Sequence, residues 1–373
     1  MTKRIAVFAA LILVSTAFGQ LPVKRILLEE FSTAPCGFCP DGDLVAAQLV
    51  KDHPSIIWVT HHAGFGTDSM TVFESKAIAD AFTTFAPGAC IDRGDHPIPV
   101  YTMPPYIAIS RQKWDSVCTA HLGDTAIVDV RVRTVYNPAL RSLRCDVEAE
   151  FAVAPQPGDL RVQLYVVEDS VVGYGKGYDQ KNYFNTTPGH PYYGKGDSIY
   201  GYVHHHVLRA VPSGAWGVAG VIPSTPAVGV AYARSFSNIP VNTWWKERDL
   251  DVIAFVSYHH TDAKQRRVLN SIQQRVLDGT VAVPEAPEAV SAATFDVYPN
   301  PAAGRVQFRY AFDPARHAVL TVTDLAGRTV LSAELEGGRR TISQSVDALP
   351  QGLYVYRITG LDGVLAGTFS VQR

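Results

Sequence analysis

The chain has 373 residues, 47% of them hydrophobic, with 33 basic against 35 acidic residues and a formal charge of −2 at pH 7. That balance leaves no electrostatic footprint for nucleic acid. The length and apolar content permit two or three domains with sizeable cores.

The first residues, Met1-Thr2-Lys3-Arg4, are basic, and an apolar core of signal-peptide length follows over 5–18. Ala17-Phe18-Gly19 puts small residues where a signal peptidase reads, so cleavage is expected before Gln20, leaving 1–19 as a leader. The apolar run is too short to span a bilayer comfortably, and no later run is longer, so no transmembrane span is expected. Removing Lys3 and Arg4 leaves 31 basic and 35 acidic residues, a charge of −4.

Residues 25–30 (Arg-Ile-Leu-Leu-Glu-Glu) read as a strand, and 41–51 carry apolar residues at helical spacing. Between them lies Phe31-Ser32-Thr33-Ala34-Pro35-Cys36-Gly37-Phe38-Cys39-Pro40. A thiol pair between a strand and a helix start sits where unpaired backbone N–H groups and the positive dipole end converge. A thiolate there is stabilised, so Cys36 is expected to titrate below the free value of about 8.5. Residues 55–60 read as a second strand buried on both faces. Residues 73–85 read as a helix with Phe73, Ala77, Ile78, Ala81, Phe82 and Phe85 on one side. Residues 87–99, rich in Pro, Gly and Asp, read as a loop; a strand at 106–109 and a short helix at 111–121 close this part near residue 122.

From 125 the period changes to two. Val128, Val130 and Val132 alternate with charged residues, as do Leu143, Cys145, Val147, Ala149 and Phe151, and then Leu160, Val162, Leu164 and Val166; residues 251–258 form a later strand. Short strands without intervening helices argue for a β-sandwich. Residues 173–201, crowded with Gly, Tyr, Lys and Asn, read as a long loop, either facing a partner or packed on the sandwich. Residues 280–289 are Pro/Ala/Glu-rich and act as a linker, placed at 280–294. Beyond it 319–323, the turn 324–328 and 329–335 form a hairpin, and 349–358 and 365–371 supply final strands of a small β-domain.

Five cysteines are present. If Cys36 pairs with Cys39, at most one further pair remains, and Cys90–Cys118 is the expected one. Cys145 falls on the apolar side of its strand and reads as a buried small hydrophobe. His204, His205, His206, His259 and His260 read as polar positions at strand ends, because no HExxH-like pattern accompanies them. On a strand, His204 and His206 would share a face. A zinc site built on the cysteine pair needs two more ligands; His61-His62 could approach, but there is no second CxxC, so no metal and no cofactor are assigned.

The stretch around Cys36 and Cys39 resembles the active site of the thioredoxin superfamily. Glu30-Phe31 stands where that superfamily carries an acidic residue followed by Phe. Tyr101-Thr102-Met103-Pro104-Pro105-Tyr106-Ile107-Ala108-Ile109 resembles the loop bearing its cis-proline, with Pro105 the better match. Pro35 replaces the superfamily's Trp and Phe38 its Pro, and both alter the expected redox potential. The resemblance implies a redox pair in which Cys36 attacks, Cys39 resolves and Glu30 accepts the Cys39 proton, through a mixed disulfide. The alternative is a permanently oxidised Cys36–Cys39 staple in a scaffold used for binding.

Tyr298-Pro299-Asn300-Pro301, the 324–328 turn and Leu349-Pro350-Gln351-Gly352-Leu353-Tyr354 together resemble the C-terminal sorting domain of the type IX secretion system, over 295–373. That implies recognition by the secretion machinery and delivery to the cell surface or medium. The body, 25–277, resembles an outer-membrane-protein family named after a twenty-eight-kilodalton member, on the segments already quoted and on Tyr202-Val203-His204-His205-His206-Val207-Leu208-Arg209 and Gly214-Ala215-Trp216-Gly217. That resemblance implies an α/β thioredoxin-like domain (20–122), an all-β sandwich (123–279) and a small C-terminal Ig-like β-sandwich (295–373). The function so implied is an exported thiol–disulfide exchange protein acting on exported cysteine-containing proteins; the alternative is a non-enzymatic surface binding or adhesion protein.

Overall fold

The computed structural model describes residues 21–98, 101, 103–281, 294–325, 327–359 and 365–372. The expected leader and most of the linker lie outside these. Strand β1 (Ile26–Ser32) is buried at every position, and alternation divides its side chains between two cores. Ile26 and Leu28 pack with helix α1 (Cys39–Asp52), while Leu27 and Phe31 pack with helix α2 (Phe73–Phe82). The adjacent carboxylates Glu29 and Glu30 therefore face opposite ways, and each meets a different set of partners.

Strand β2 (Ile56–His62) runs parallel to β1, and β3 (Gly88–Ile91) runs antiparallel on its other side. Strand β4 (Ile109–Ser110) pairs with β3, and α3 (Trp114–Ala120) follows a single 3-10 turn. Three expectations change here. The segment 87–99 contains β3, a four-residue buried strand with no alternation to announce it. The strand expected at 106–109 shrinks to β4. Of the residues expected on the apolar side of α2, Ile78 and Phe82 are buried, with Ala79 beside them, but Phe73 is 84% exposed.

The alternating segments become β5 (Val128–Asn137), β6 (Ser142–Phe151) and β7 (Asp159–Glu168). Two-residue strands β8 (Gln180–Lys181) and β9 (Ser198–Ile199) pair inside the tyrosine-rich loop. Then come β10 (Val207–Ala210), β11 (Ala231–Pro240), β12 (Leu250–His259), β13 (Val268–Arg275) and β14 (Thr280–Val281). Sheet order is β13-β12-β7-β10-β2-β1-β3-β4 for eight strands, and β11-β6-β5-β14 for a second sheet. The second sheet packs against β7 and β12 through Val130, Leu143, Val147, Leu164, Val166, Val252 and Ala254, a two-layer β arrangement.

One sheet thus runs across the boundary expected at 122/123. Val207 of β10 pairs with Thr60 of β2, joining the early and late strands. Buried charge joins them too. The Arg93 guanidinium donates twice to Glu29, at 2.7 and 2.8 Å, and donates to the Tyr165 hydroxyl of β7 at 2.7 Å, while that hydroxyl donates to Glu29 at 3.2 Å. Burial alone would raise the Glu29 carboxyl, but Arg93 beside it brings it down to about 2.

The chain divides into two compact units between residues 283 and 284. The second is a five-stranded sheet ordered β15-β19-β18-β16-β17: β15 (Thr294–Ala303), β16 (Arg305–Thr323), β17 (Thr329–Ser345), β18 (Gly352–Thr359) and β19 (Leu365–Val371). Its short motifs are fastening points. Asn300 Oδ1 accepts from the Ser370 N–H at 3.0 Å, and the Tyr354 hydroxyl donates to the Pro350 carbonyl at 2.7 Å. Among the described residues no helix is long and apolar enough to cross a membrane.

Candidate functional site

Cys36 and Cys39 are joined by a disulfide, with Cα atoms 5.4 Å apart. The other described cysteines do not pair: Cys90, Cys118 and Cys145 are free and buried. This corrects the Cys90–Cys118 expectation, and the reason is spatial. Cys90 points into the core with α2, Cys118 into the core with α1, so the sheet separates them. Burial pushes the Cys118 and Cys145 thiols up to about 12.

Local sequence builds the thiol loop. The Cys36 N–H donates to the Thr33 carbonyl, and the Cys39 N–H to the Cys36 carbonyl, so the chain tightens into α1, whose first turn carries Pro40. The Ala34 N–H donates to Asp68 Oδ2 at 2.8 Å, and that carboxylate also bonds His62 Nδ1 at 2.7 Å. Cys36 Sγ lies 3.5 Å from the Ala86 carbonyl oxygen.

The Ala86–Pro87 and Pro104–Pro105 bonds are both cis. The proline beside the thiol pair is Pro87. It leads into β3, the direct neighbour of β1, whereas exposed Pro105 precedes β4 at the sheet's outer edge. A Cβ added to Gly42 would sit 2.7 Å from Pro87 Cβ and 2.8 Å from Glu30 Oε1. Only glycine lets α1 approach both so closely.

Glu30 is fully buried under the helix start, and its Oε2 accepts from Trp58 Nε1 at 2.9 Å. A second carboxyl reaches it. Asp43 stands four residues after Cys39, hence on the same helix face, and its Oδ2 accepts from the Tyr202 hydroxyl at 2.6 Å. Burial first, and then the Asp43 charge, hold the Glu30 carboxyl well above the ordinary carboxylate range.

The tyrosine-rich loop closes over this site. Gln180 Nε2 donates to the carbonyls of Cys36 at 2.8 Å and Ala34 at 3.1 Å. The Lys181 N–H donates to Ala34 and the Tyr183 N–H to Gly37. Phe38 stands edge-on to Tyr183, centroids 5.0 Å apart, and His190 Nε2 meets Asp41 Oδ1 at 3.2 Å. Cys36 is left 3% exposed and Cys39 not at all.

The histidines disperse. His61 bonds Glu29 at 3.3 Å, His204 bonds the Tyr178 carbonyl at 2.8 Å, His205 pairs with Asp169 at 2.8 Å, and His206 lies against Trp58. Burial brings His204 down to about 3, so it is neutral. His204 and His206 lie before β10 rather than on it. His259 ends β12, and its neighbour His260 is exposed.

The fold gathers Cys36, Cys39 and Glu30 with Pro87 and sets Pro105, whose bond is also cis, near the sheet's outer edge. Asp43, Gln180 and Tyr202 join from outside the residues expected to form the site. The spacing of Asp43 from Cys39 was a usable signal. Nothing local marked Gln180 or Tyr202.

Residues 296–371 match the family model described as a secretion system C-terminal sorting domain. No curated protein sequence matches the chain. Among solved structures, HBP35 of Porphyromonas gingivalis is similar over 94% of this chain and 99% of its own, with 17% identity and a TM-score of 0.54. At that identity the likeness is one of fold. A domain of the outer membrane lipoprotein Omp28 from the same organism aligns with 42% of this chain and 90% of its own, at 13% identity and a TM-score of 0.24. The terminal sorting domain marks the chain for export, to the cell surface or the medium.

Proposed function

We propose that this exported protein exchanges thiols and disulfides through Cys36 and Cys39 within a thioredoxin-like unit, acting on cysteine-containing exported proteins. The observation that carries the reading is the disulfide at the N-terminus of α1, with the Ala86 carbonyl at 3.5 Å on one side and buried Glu30 beneath. A partner thiolate attacks Cys36 Sγ and the S–S bond breaks toward Cys39. A second partner thiolate then attacks the partner's own sulfur in the mixed disulfide and releases Cys36 as a thiolate. In the opposite direction Cys39 attacks Cys36 Sγ and resolves the mixed disulfide. Helix N–H groups stabilise the Cys36 thiolate when it leaves. The sorting domain hands the chain to the secretion machinery. Membership of the family named after the twenty-eight-kilodalton outer-membrane protein belongs to the same proposal, supported by the segments quoted above.

One observation favours a second reading. The pair is covered by the chain's own Gln180-to-Tyr183 segment, which suits a structural disulfide in a surface binding protein. The reduction potential separates the two. Exchange-active pairs lie between about −270 and −120 mV, and structural bridges below about −300 mV. A value in the first window that disappears in Cys36→Ser supports exchange; a value below −300 mV, on the same scale, overturns it.

A further inference from the structure

Two buried oxygens at the first turns of α1, the helix that begins at Cys39, have no donor: Glu30 Oε1, against Gly42, and Asp43 Oδ1. Their carboxyl groups lie within hydrogen-bond reach of each other. Two ionised carboxylates present only acceptors, and leaving both so deep in a protein costs far more than any bond repays. One shared proton satisfies both oxygens at once, as in acid pairs that cannot ionise together. The other oxygen of each group is already held, by Trp58 Nε1 and by the Tyr202 hydroxyl. Outward from Tyr202, the Tyr192 hydroxyl donates to it at 3.4 Å, and Tyr192 is half-buried, so the chain of hydroxyls reaches the surface.

We propose that Glu30 and Asp43 hold a single proton between them and that this pair, connected to solvent by Tyr202 and Tyr192, supplies the proton taken up by Cys39 when the disulfide opens. The supply role rests on the exchange reading above; the shared proton does not. The attacking partner thiolate bonds to Cys36 Sγ, and the electron pair of the broken S–S bond goes to Cys39 Sγ. Cys39 takes the shared proton and becomes a thiol. Asp43 Oδ2 then takes the Tyr202 proton, Tyr202 that of Tyr192, and Tyr192 one from water. The disulfide is the oxidant and the partner thiol the reductant; one solvent proton enters per opening. Resolution in the reverse direction returns it.

The charges facing the pair are few. Arg111 faces Glu30 from the turn before α3, and His62 of β2 and His205 of the segment before β10 face Asp43. Arg111 is engaged by Asp41, His62 by Asp68 and His205 by Asp169, and their pull toward the ionised form is outweighed by burial, which leaves both carboxyls raised. Tyr202 comes from the chain beyond residue 123, which makes the later strands part of the proton's route.

The test has two arms on the full chain. Carbon-13 NMR of the carboxyl groups in the oxidised protein reads the pair directly: one protonated carboxyl at neutral pH is expected, lost in Asp43→Asn as a shared signal. Two ionised carboxylates there overturn the shared proton. Reduction by dithiothreitol is then followed from about pH 5 to about pH 9. Asp43→Asn is expected to move the pH profile by one unit or more, about a tenfold change in rate at the affected pH, and Tyr202→Phe to slow the opening while keeping the NMR signal. Profiles that superpose on the unaltered protein overturn the supply role. A disulfide that glutathione and dithiothreitol both fail to open overturns the exchange reading and the supply role together, while the NMR arm still decides the shared proton.

Discussion

Gln180 Nε2 donates to the Cys36 carbonyl oxygen at 2.8 Å, across 144 residues of sequence. This bond, with its neighbour to Ala34, fastens the tyrosine-rich loop over the thiol pair. Gln180→Ala removes both bonds, while the Cys39 N–H still donates to Cys36 and the Lys181 N–H to Ala34. Two bonds lost at about 0.5–1.5 kcal/mol each give about 1–3 kcal/mol. The open form then rises roughly 5- to 150-fold. Reduction by dithiothreitol at fixed pH should accelerate in that range; an unchanged second-order rate would show that the loop does not govern access.

Gly37 gives a second handle on the same closure. A Cβ at this position would meet the Tyr183 ring at 2.5 Å, so Gly37→Ala must push the loop away. The expected cost is about 1–3 kcal/mol, read from urea unfolding. Adding Tyr183→Ser should recover most of it. Additive losses in the double variant would disprove the contact.

The Glu29–Arg93 pair predicts both a magnitude and a pH window. Arg93→Met leaves a buried carboxylate alone, and stability should fall by about 3–5 kcal/mol. With Glu29 held at about 2 against an ordinary 4.5, the unfolded chain binds the proton first as pH falls. The pair's stabilisation is full above pH 4.5 and is lost as pH drops through 2. Urea midpoints across that window should decline in the unaltered protein and stay flatter in Arg93→Met.

Glu30 gives the opposite sign. Its raised carboxyl keeps a proton in the folded chain that the unfolded chain has released, so stability falls as pH rises above the ordinary carboxylate range. Asp43→Asn removes the like charge and should flatten that fall. Comparing unfolding near pH 5 and near pH 8 decides it: equal slopes in both proteins would remove Asp43 from the cause.

How much of this was legible beforehand depended on how local the signal was. Cys36, Cys39 and the strand-to-helix order lie within one short stretch where spacing makes them plain, and Glu30 was singled out by the resemblance to the thioredoxin superfamily. The alternation in β5 and β6 was equally plain, because one face of each meets a core, whereas β7 alternates only at its start and is buried on both faces from Val162 onward. Strand β3 was hidden, since Gly-Ala-Cys-Ile is short, buried on both faces and bordered by loop-like residues. With β3 unseen, Pro87 had no strand to introduce, and the resemblance was read on Pro105, whose bond is also cis. The loop's grip on the site was hidden for a different reason: Gln180, Tyr183 and Tyr202 act through contacts that only the folded sheet brings together. The boundary at 122/123 had the same origin, as a change of period marks a change of secondary structure without showing whether the sheet ends.

That shared sheet has a consequence for the order of folding. Strands β1 to β4 can find one another early, but the outer edge of β2 is covered only when Val207 reaches Thr60. Until then β2 offers open backbone donors and acceptors to any passing strand. Pairing so distant in sequence is slow to form. The chain therefore keeps an open, adhesive edge until its later strands are in place, and a carrier that shields β2 during that interval would protect it.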